Sequence, residues 1–417
     1  MLVSLPFGRS QLTGHVPEWA VTDIVIPRQW KTGSQGNLVE AALREPVGVP
    51  RLRELARESR RAVIVTCDRT RGVPSHVTIP LILEELRSGG MNSERIKLLV
   101  ATGLHKGETV VDVGERLGGE LLDRLRVEIH DSDDQTRLAE AGRLSSGTPL
   151  WLNRSVVESD LVIVESNVEP HFFAGFTGGS KVILPGVAGT ETILRNHCWK
   201  NIEHEASRYG TIENPIRAEA NEALRHLGRT FALSLVLDSQ KRIVCATAGD
   251  PISSFNVVAE SVKLHSSVQI KDPPDVVITT NGGYPLDRNV YQCVKGIAVP
   301  ERILRKDSRI IMVGECMDGV GHQDFLKLLA SDTPGSIYDK LRTEEVLIRD
   351  QWEVQVLCRI LRKTSVSFVT RPELASEIKS MHMDYAQTIE QALDHVKLHR
   401  GESVLALPQG PMTLPTF

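Results

Sequence analysis

Arg61 to Gly103 reads RAVIVTCDRTRGVPSHVTIPLILEELRSGGMNSERIKLLVATG, two apolar runs separated by an amphipathic one. RAVIVTC, Arg61 to Cys67, is a run of apolar and β-branched residues, which predicts a strand buried on both faces. HVTIPLILEELRSGG predicts a helix that ends at Gly89-Gly90. IKLLVATG, Ile96 to Gly103, predicts a second buried strand. Near-continuous Val/Ile/Leu runs separated by helices belong to a parallel sheet covered on both sides. The pattern continues outward. TVVDVGERLGGELLDRL is helical, RVEIHD a third strand and DLVIVES, Asp160 to Ser166, a fourth. PIRAEANEALRHLG opens a helix with proline in its first turn. FALSLVLD and KRIVCATAGD predict a strand pair turning at Ser239-Gln240.

A polar, proline-stiffened stretch at Lys271-Asp272-Pro273-Pro274 marks the start of a second unit. There DVVITTNGGYP reads as strand then loop, RNVYQCVKGIAV as a helix and RIIMVGEC as a strand. HQDFLKLLASD, SIYDKLRTEE, WEVQVLCRILRK and DYAQTIEQALDHVKLHRG follow as helices, and SVLALPQGP as a last strand. The expected architecture is α/β, two domains of mostly parallel sheets flanked by helices, with the active site at the strand carboxyl ends between the domains. The expected boundaries are 1–270 for a cofactor-binding catalytic domain and 271–400 for a domain that adds substrate-binding residues. Residues 401–417 are expected to return to the first domain as a strand or tail.

A chain of 417 residues is too long for one ordinary core. Its 41% hydrophobic and 24% charged content is that of a soluble globular protein. A net charge of -4 supplies no global field for nucleic acid or an anionic membrane, so neither is an expected partner. No apolar run approaches the roughly 20 residues that span a bilayer. The N-terminal stretch lacks a signal peptide's charged start and apolar core. The six cysteines show no CxxC pair or regular spacing, which argues against a disulfide framework or structural zinc. A cytoplasmic location is the expectation.

In open α/β sheets, ligands bind beyond the carboxyl ends of the strands. Four loops at such ends carry reactive groups. The first is Asp68-Arg69-Thr70-Arg71. The second is Ala101-Thr102-Gly103-Leu104-His105-Lys106-Gly107. The third runs from Asn167 into EPHFFAGFTGGSKVILPGVAGTETILRNH, Glu169 to His197. The fourth is Asn281-Gly282-Gly283-Tyr284-Pro285, leading to Tyr291, Gln292 and Lys295. The third loop holds Gly175, Gly178, Gly179, Gly186 and Gly189 around a single lysine, Lys181. Glycines at this density let backbone approach a ligand and offer amide donors. Lys181 is then a charge partner, a Schiff-base former or a covalent tether.

His105 and His171 suit acid/base work, because imidazole titrates near neutral pH. His197, after a helix, is a candidate ligand for nickel, copper or zinc, or a plain helix-end histidine. Arg71 and Lys295 are anion binders or surface charges. Asp68 bonds a ribose, orients Arg71 or caps the next helix. Phe172 and Phe173 are an apolar wall or core. GFTGGSKV fails as a P-loop: Ser180 stands where glycine belongs, and Val182 where Ser or Thr should bind magnesium. No GxGxxG opens a helix after a strand, which disfavours a standard NAD fold.

At these residues the sequence resembles the nickel-dependent lactate racemase family. The resemblance rests on four blocks in family order across both domains: DRTRGVP, ATGLHKGE, the Glu169–His197 stretch and GGYPLDRNVYQCVKG. It implies a nickel pincer nucleotide, a pyridinium mononucleotide whose two sulfurs and one ring carbon bind nickel. It implies that Lys181 is the thioamide tether, His197 the protein's nickel ligand, and His105 and His171 the paired acid/base groups. Gln292 and Lys295, with Tyr291 nearby, match substrate-holding residues. Asp68, Arg71, Gly178 and Gly179 match cofactor-side positions. Gly72 stands where the family usually shows proline, and Ser180 where arginine or another residue is often found. The implied reaction inverts Cα of a 2-hydroxy acid by hydride transfer to and from the cofactor, through a 2-keto acid. Cofactor maturation enzymes are implied as transient partners, and a homodimer is left open. The competing readings are a metal-dependent hydro-lyase or two-base epimerase without the pincer nucleotide, and a non-catalytic cofactor carrier.

Overall fold

The computed structural model describes residues 1–417 except 106–107, 123–124 and 344–347. Lys106 and Gly107 of the second loop, and parts of the helices expected near 109–125 and 336–345, therefore lie outside the described residues.

Two six-stranded sheets carry the fold. Across the first, the order is Ile243–Gly249, Arg229–Leu237, Leu161–Asn167, Ala62–Cys67, Ile96–Ala101 and Arg126–Ile129. All neighbours are parallel except the Ile243–Gly249 edge, which forms the expected hairpin with Arg229–Leu237. Ala62–Cys67 and Leu161–Asn167 are buried at every position, as their unbroken apolar runs require. The second sheet runs Asp384–Ala386, Val366–Val369, Arg309–Val313, Val276–Thr280, Ser403–Leu407 and Val21–Ile24, all parallel.

The boundaries expected from sequence change at both ends of the chain. Val21–Ile24 lies in the second sheet rather than with the first unit. The hairpin Leu2–Phe7/Ser10–His15 buries Val3 and Leu5 in the same core as Val276, Ile278, Ile311 and Val313. Ser403–Leu407 does not return to the first sheet; it pairs with Val276–Thr280. Only Leu414–Thr416 runs back, beside Ser267–Gln269. Pairing partners far apart in sequence leave no periodic trace, so a sequence cut places such segments by proximity alone. Two helices are also modified. The first stops at Leu117 where Gly118 turns to φ +86, a conformation that suits glycine. DYAQTIEQALDH opens as the edge strand Asp384–Ala386, and its helix starts only after Thr388, whose hydroxyl accepts the Gln391 amide.

All four reactive loops leave carboxyl strand ends: Cys67, Ala101, Asn167 and Thr280. Parallel pairing makes those ends converge, and the two sheets bring them to a shared cleft.

Candidate active site

One cleft is lined by Asp68, Arg71, His105, His171, Gly178, Lys181, His197, Tyr291, Gln292 and Lys295. Ten of the eleven residues expected from sequence therefore share a single cavity. Gly179 is the exception. Its amide donates to Ser166 Oγ (3.0 Å), and a Cβ built on it would sit 2.9 Å from the Phe255 ring. It shapes the turn from behind rather than facing the cavity.

Asp68 neither caps a helix nor reaches for Arg71. Its carboxylate lies 2.6 Å from His105 Nδ1 and accepts from the Thr70 amide (3.1 Å) and hydroxyl (2.5 Å). Burial opposes its charge, but His105 and the Thr70 bond outweigh that, and the carboxyl is held down at about 2. A charged Asp68 keeps the proton of a neutral His105 on Nδ1, which leaves Nε2 free to act as a base. Arg71 is turned towards Glu169 (3.4 Å). Behind this wall, the buried Glu165 carboxylate accepts from the hydroxyls of Thr66, Ser75 (2.7 Å) and Thr78, tying the first strand to the helix after it.

The glycine loop builds the floor. Gly178 adopts φ +71, and a Cβ there would lie 2.7 Å from the Asn167 carbonyl. The buried Arg217 guanidinium donates to the carbonyls of Gly178 (3.2 Å) and Phe176 (2.6 Å), fixing the bend. Lys181 is buried over the Phe173 ring, 5.2 Å from its centroid. Among the described residues no hydrogen-bond acceptor meets its amine. Burial first, then Arg217, Arg71 and Lys295, push its pKa well below the ordinary lysine value. The amine is therefore biased to its neutral, nucleophilic form.

His197 is buried between the Phe173 and Trp352 rings, each 5.1 Å away, and among the described residues its Nδ1 has no partner. Burial and Lys181 keep this imidazole neutral, as metal ligation requires. Among the described residues no group of three or more His, Cys, Asp or Glu is arranged to hold a metal ion. A metal at His197 would thus need most of its ligands from a bound group. His171 is likewise buried, and burial followed by Lys181 and Lys295 holds its pKa well below the ordinary value. Its Nδ1 accepts from the Ala174 amide (3.3 Å).

The second unit forms the facing wall. Lys295 Nζ donates to Gln292 Oε1 (2.6 Å), one turn away on the same helix. Burial and then Arg71 lower the Lys295 ammonium to about 8. Four further lining groups were not singled out from the sequence: His322, Asp350, Trp352 and Glu353. A signal did exist. Gln351–Ile360 is buried throughout, so polar residues at its start must be paired or must face a site.

Residues 7–210 match the family described as lactate racemase N-terminal domain, and residues 269–411 match lactate racemase C-terminal domain. A lactate racemase from Thermoanaerobacterium thermosaccharolyticum is 37% identical over 94% of this chain and 93% of its own length. One from Lactiplantibacillus plantarum is 37% identical over 98% of both chains. The structure of the lactate racemase apoprotein from T. thermosaccharolyticum superposes with a TM-score of 0.95, at 35% identity and full coverage of both chains. A Thermotoga maritima protein shares the fold at a TM-score of 0.64 and 17% identity, covering 88% of this chain and 97% of its own. With both domain families matched in order and relatives aligned over nearly their full length, the chain belongs to the lactate racemase family.

Proposed function

We propose that this chain is a racemase of lactate or a related 2-hydroxy acid, and that it works with a nickel pincer nucleotide joined to Lys181. The observation that carries this reading is the cavity floor: a buried amine beside a buried imidazole, with no hydrogen-bond partner for the amine or for the imidazole Nδ1 among the described residues. An amine destined for an amide-type bond must be neutral, and a lone histidine suits a metal whose other ligands arrive with the cofactor. When bound, this group supplies an acceptor that takes hydrogen from Cα with its bonding pair and returns it.

The chain's own groups do the rest. Lys295 and Gln292 hold the carboxylate. His105, oriented by Asp68, takes the hydroxyl proton at Nε2. His171 serves the opposite face. Its Nδ1 is engaged by Ala174 in this geometry, so it must release that amide before Nε2 can accept a proton. Phe172, Phe173 and Trp352 exclude water and strengthen every charge contact in the cleft.

The test is intact mass and metal analysis of protein co-produced with the cofactor maturation enzymes, beside Lys181→Ala. A covalent adduct with stoichiometric nickel, absent from the variant, is expected. No adduct under conditions that load a related racemase would overturn the reading and favour a two-base epimerase or hydro-lyase.

A further inference from the structure

The second unit's wall contains a hydrogen-bonded cluster that the racemase chemistry above leaves unused. Asp350 is buried, and both of its oxygens are engaged. Oδ2 lies 2.6 Å from His322 Nδ1, and Oδ1 accepts from the Tyr291 hydroxyl at 2.9 Å. The Tyr291 and His322 rings lie against each other, centroids 4.6 Å apart, and Phe325 packs edge-on behind Tyr291. Asp350 reaches this position in a left-handed backbone conformation, φ +64, which is uncommon for a residue with a side chain. Next to it, Arg349 reaches across to Asp133 and Thr190 of the first unit. The segment is thus held from both sides of the cleft.

This arrangement leaves one atom unexplained. His322 Nε2 has no partner among the described residues, and the side chain is half exposed on the lining of the cleft. A carboxylate behind Nδ1 stabilises added positive charge on the ring, and in the protonated ring Nε2–H is a charged donor. The hydrogen bond to Asp350 raises its pKa, against the effect of partial burial. Lys295 lies one helical turn from Tyr291, which puts their Cβ atoms about 6 Å apart on one helix face. Lys295 and His322 line the same cleft, so this wall carries two donors that an anionic ligand can use. Burial outweighs the pull of nearby Lys295 and, with Asp350, raises the Glu353 carboxyl well above its ordinary value, which weakens its competition for these donors. Lactate can use only one of these donors, since its methyl group offers nothing to Nε2.

Resting on the racemase reading, we propose that His322 is a specificity residue that binds a second carboxylate of the substrate. The preferred substrate is then a 2-hydroxy dicarboxylate, with one end on Lys295 and Gln292 and the other on His322. Asp350 and Tyr291 are the positioning residues that aim the imidazole. The same donor chemistry would suit a nucleotide phosphate, so the test must separate the two sources.

Calorimetry on the cofactor-free chain would compare 2-hydroxybutanedioate, lactate and nicotinic acid mononucleotide, for wild type, His322→Gln and His322→Lys. Wild type is expected to bind the dicarboxylate at least tenfold more tightly than lactate. His322→Gln should abolish that ratio, and His322→Lys, which restores a cation, should recover most of it. On loaded enzyme, the ratio of kcat/KM for dicarboxylate over lactate should fall at least tenfold in His322→Gln, mainly through KM. An unchanged ratio in a folded His322→Gln would overturn the proposal. So would a loss confined to the mononucleotide, which would assign His322 to the cofactor's phosphate. If nickel-loaded protein racemised neither acid while the binding ratios behaved as expected, the racemase reading would fall and the anion site would stand.

Discussion

Replacing Asp68 with asparagine tests whether the His105 pair is built for catalysis. The ordinary carboxyl value of 3.8 falls to about 2 in the fold. Each pKa unit is worth roughly 1.4 kcal/mol, so the folded state favours the charged form by about 2.5 kcal/mol. The sign follows from the depressed value. This stability is fully present above about 4 and is lost as pH falls through about 2. At neutral pH, Asp68→Asn should therefore lower stability by about 2 kcal/mol, or a few degrees in Tm. Melting curves of the two proteins should converge in strong acid. The catalytic effect has a different origin. An amide NH2 facing Nδ1 forces the His105 proton onto Nε2, the atom that must act as base. Loss of a general base costs on the order of 10²–10⁴-fold in kcat. Steady-state racemisation by cofactor-loaded protein should show that fall in kcat with KM little changed. A kcat within threefold of wild type, in a variant with a normal adduct and nickel content, would refute the assignment of His105 as an Asp68-oriented base.

Three further outcomes follow from the same geometry. Burial and Arg71 lower the Lys295 ammonium to about 8, so kcat/KM should drop about tenfold per pH unit above that point. Lys295→Arg, charged at every accessible pH, should move the alkaline limb upward by more than one unit; an unmoved limb would remove Lys295 as carboxylate binder. His197→Ala should keep the covalent adduct by intact mass but lose nickel by metal analysis, whereas full nickel content would exclude His197 as the ligand. Gly178→Ala must place a Cβ 2.7 Å from the Asn167 carbonyl at φ +71. A destabilisation on the order of 1–3 kcal/mol is expected in thermal melts, and an unchanged Tm would show that the loop bends freely.

Much of the site was legible because its residues follow buried strands. A run such as RAVIVTC announces both a strand and the place where it ends, and a parallel sheet delivers all such ends to one edge. Asp68, His105, His171 and Lys295 could be grouped on that basis before any distance was known. His322 and Asp350 could not. They precede helices rather than follow strands, and the bonds from His322 to Asp350 and from Asp350 to Tyr291 span 28 and 59 residues.

The sequence by itself determined the α/β class, the strand ends that bear the chemistry and the glycine loop around Lys181, because local hydrophobic periodicity and turn composition encode them. Which sheet takes the first and last strands, that Asp68 serves His105 rather than Arg71, and that His322 faces the cleft all emerge from the folded chain. Each of these depends on pairing between distant segments, and on the burial that shifts proton affinities, neither of which is written in any local window of the chain.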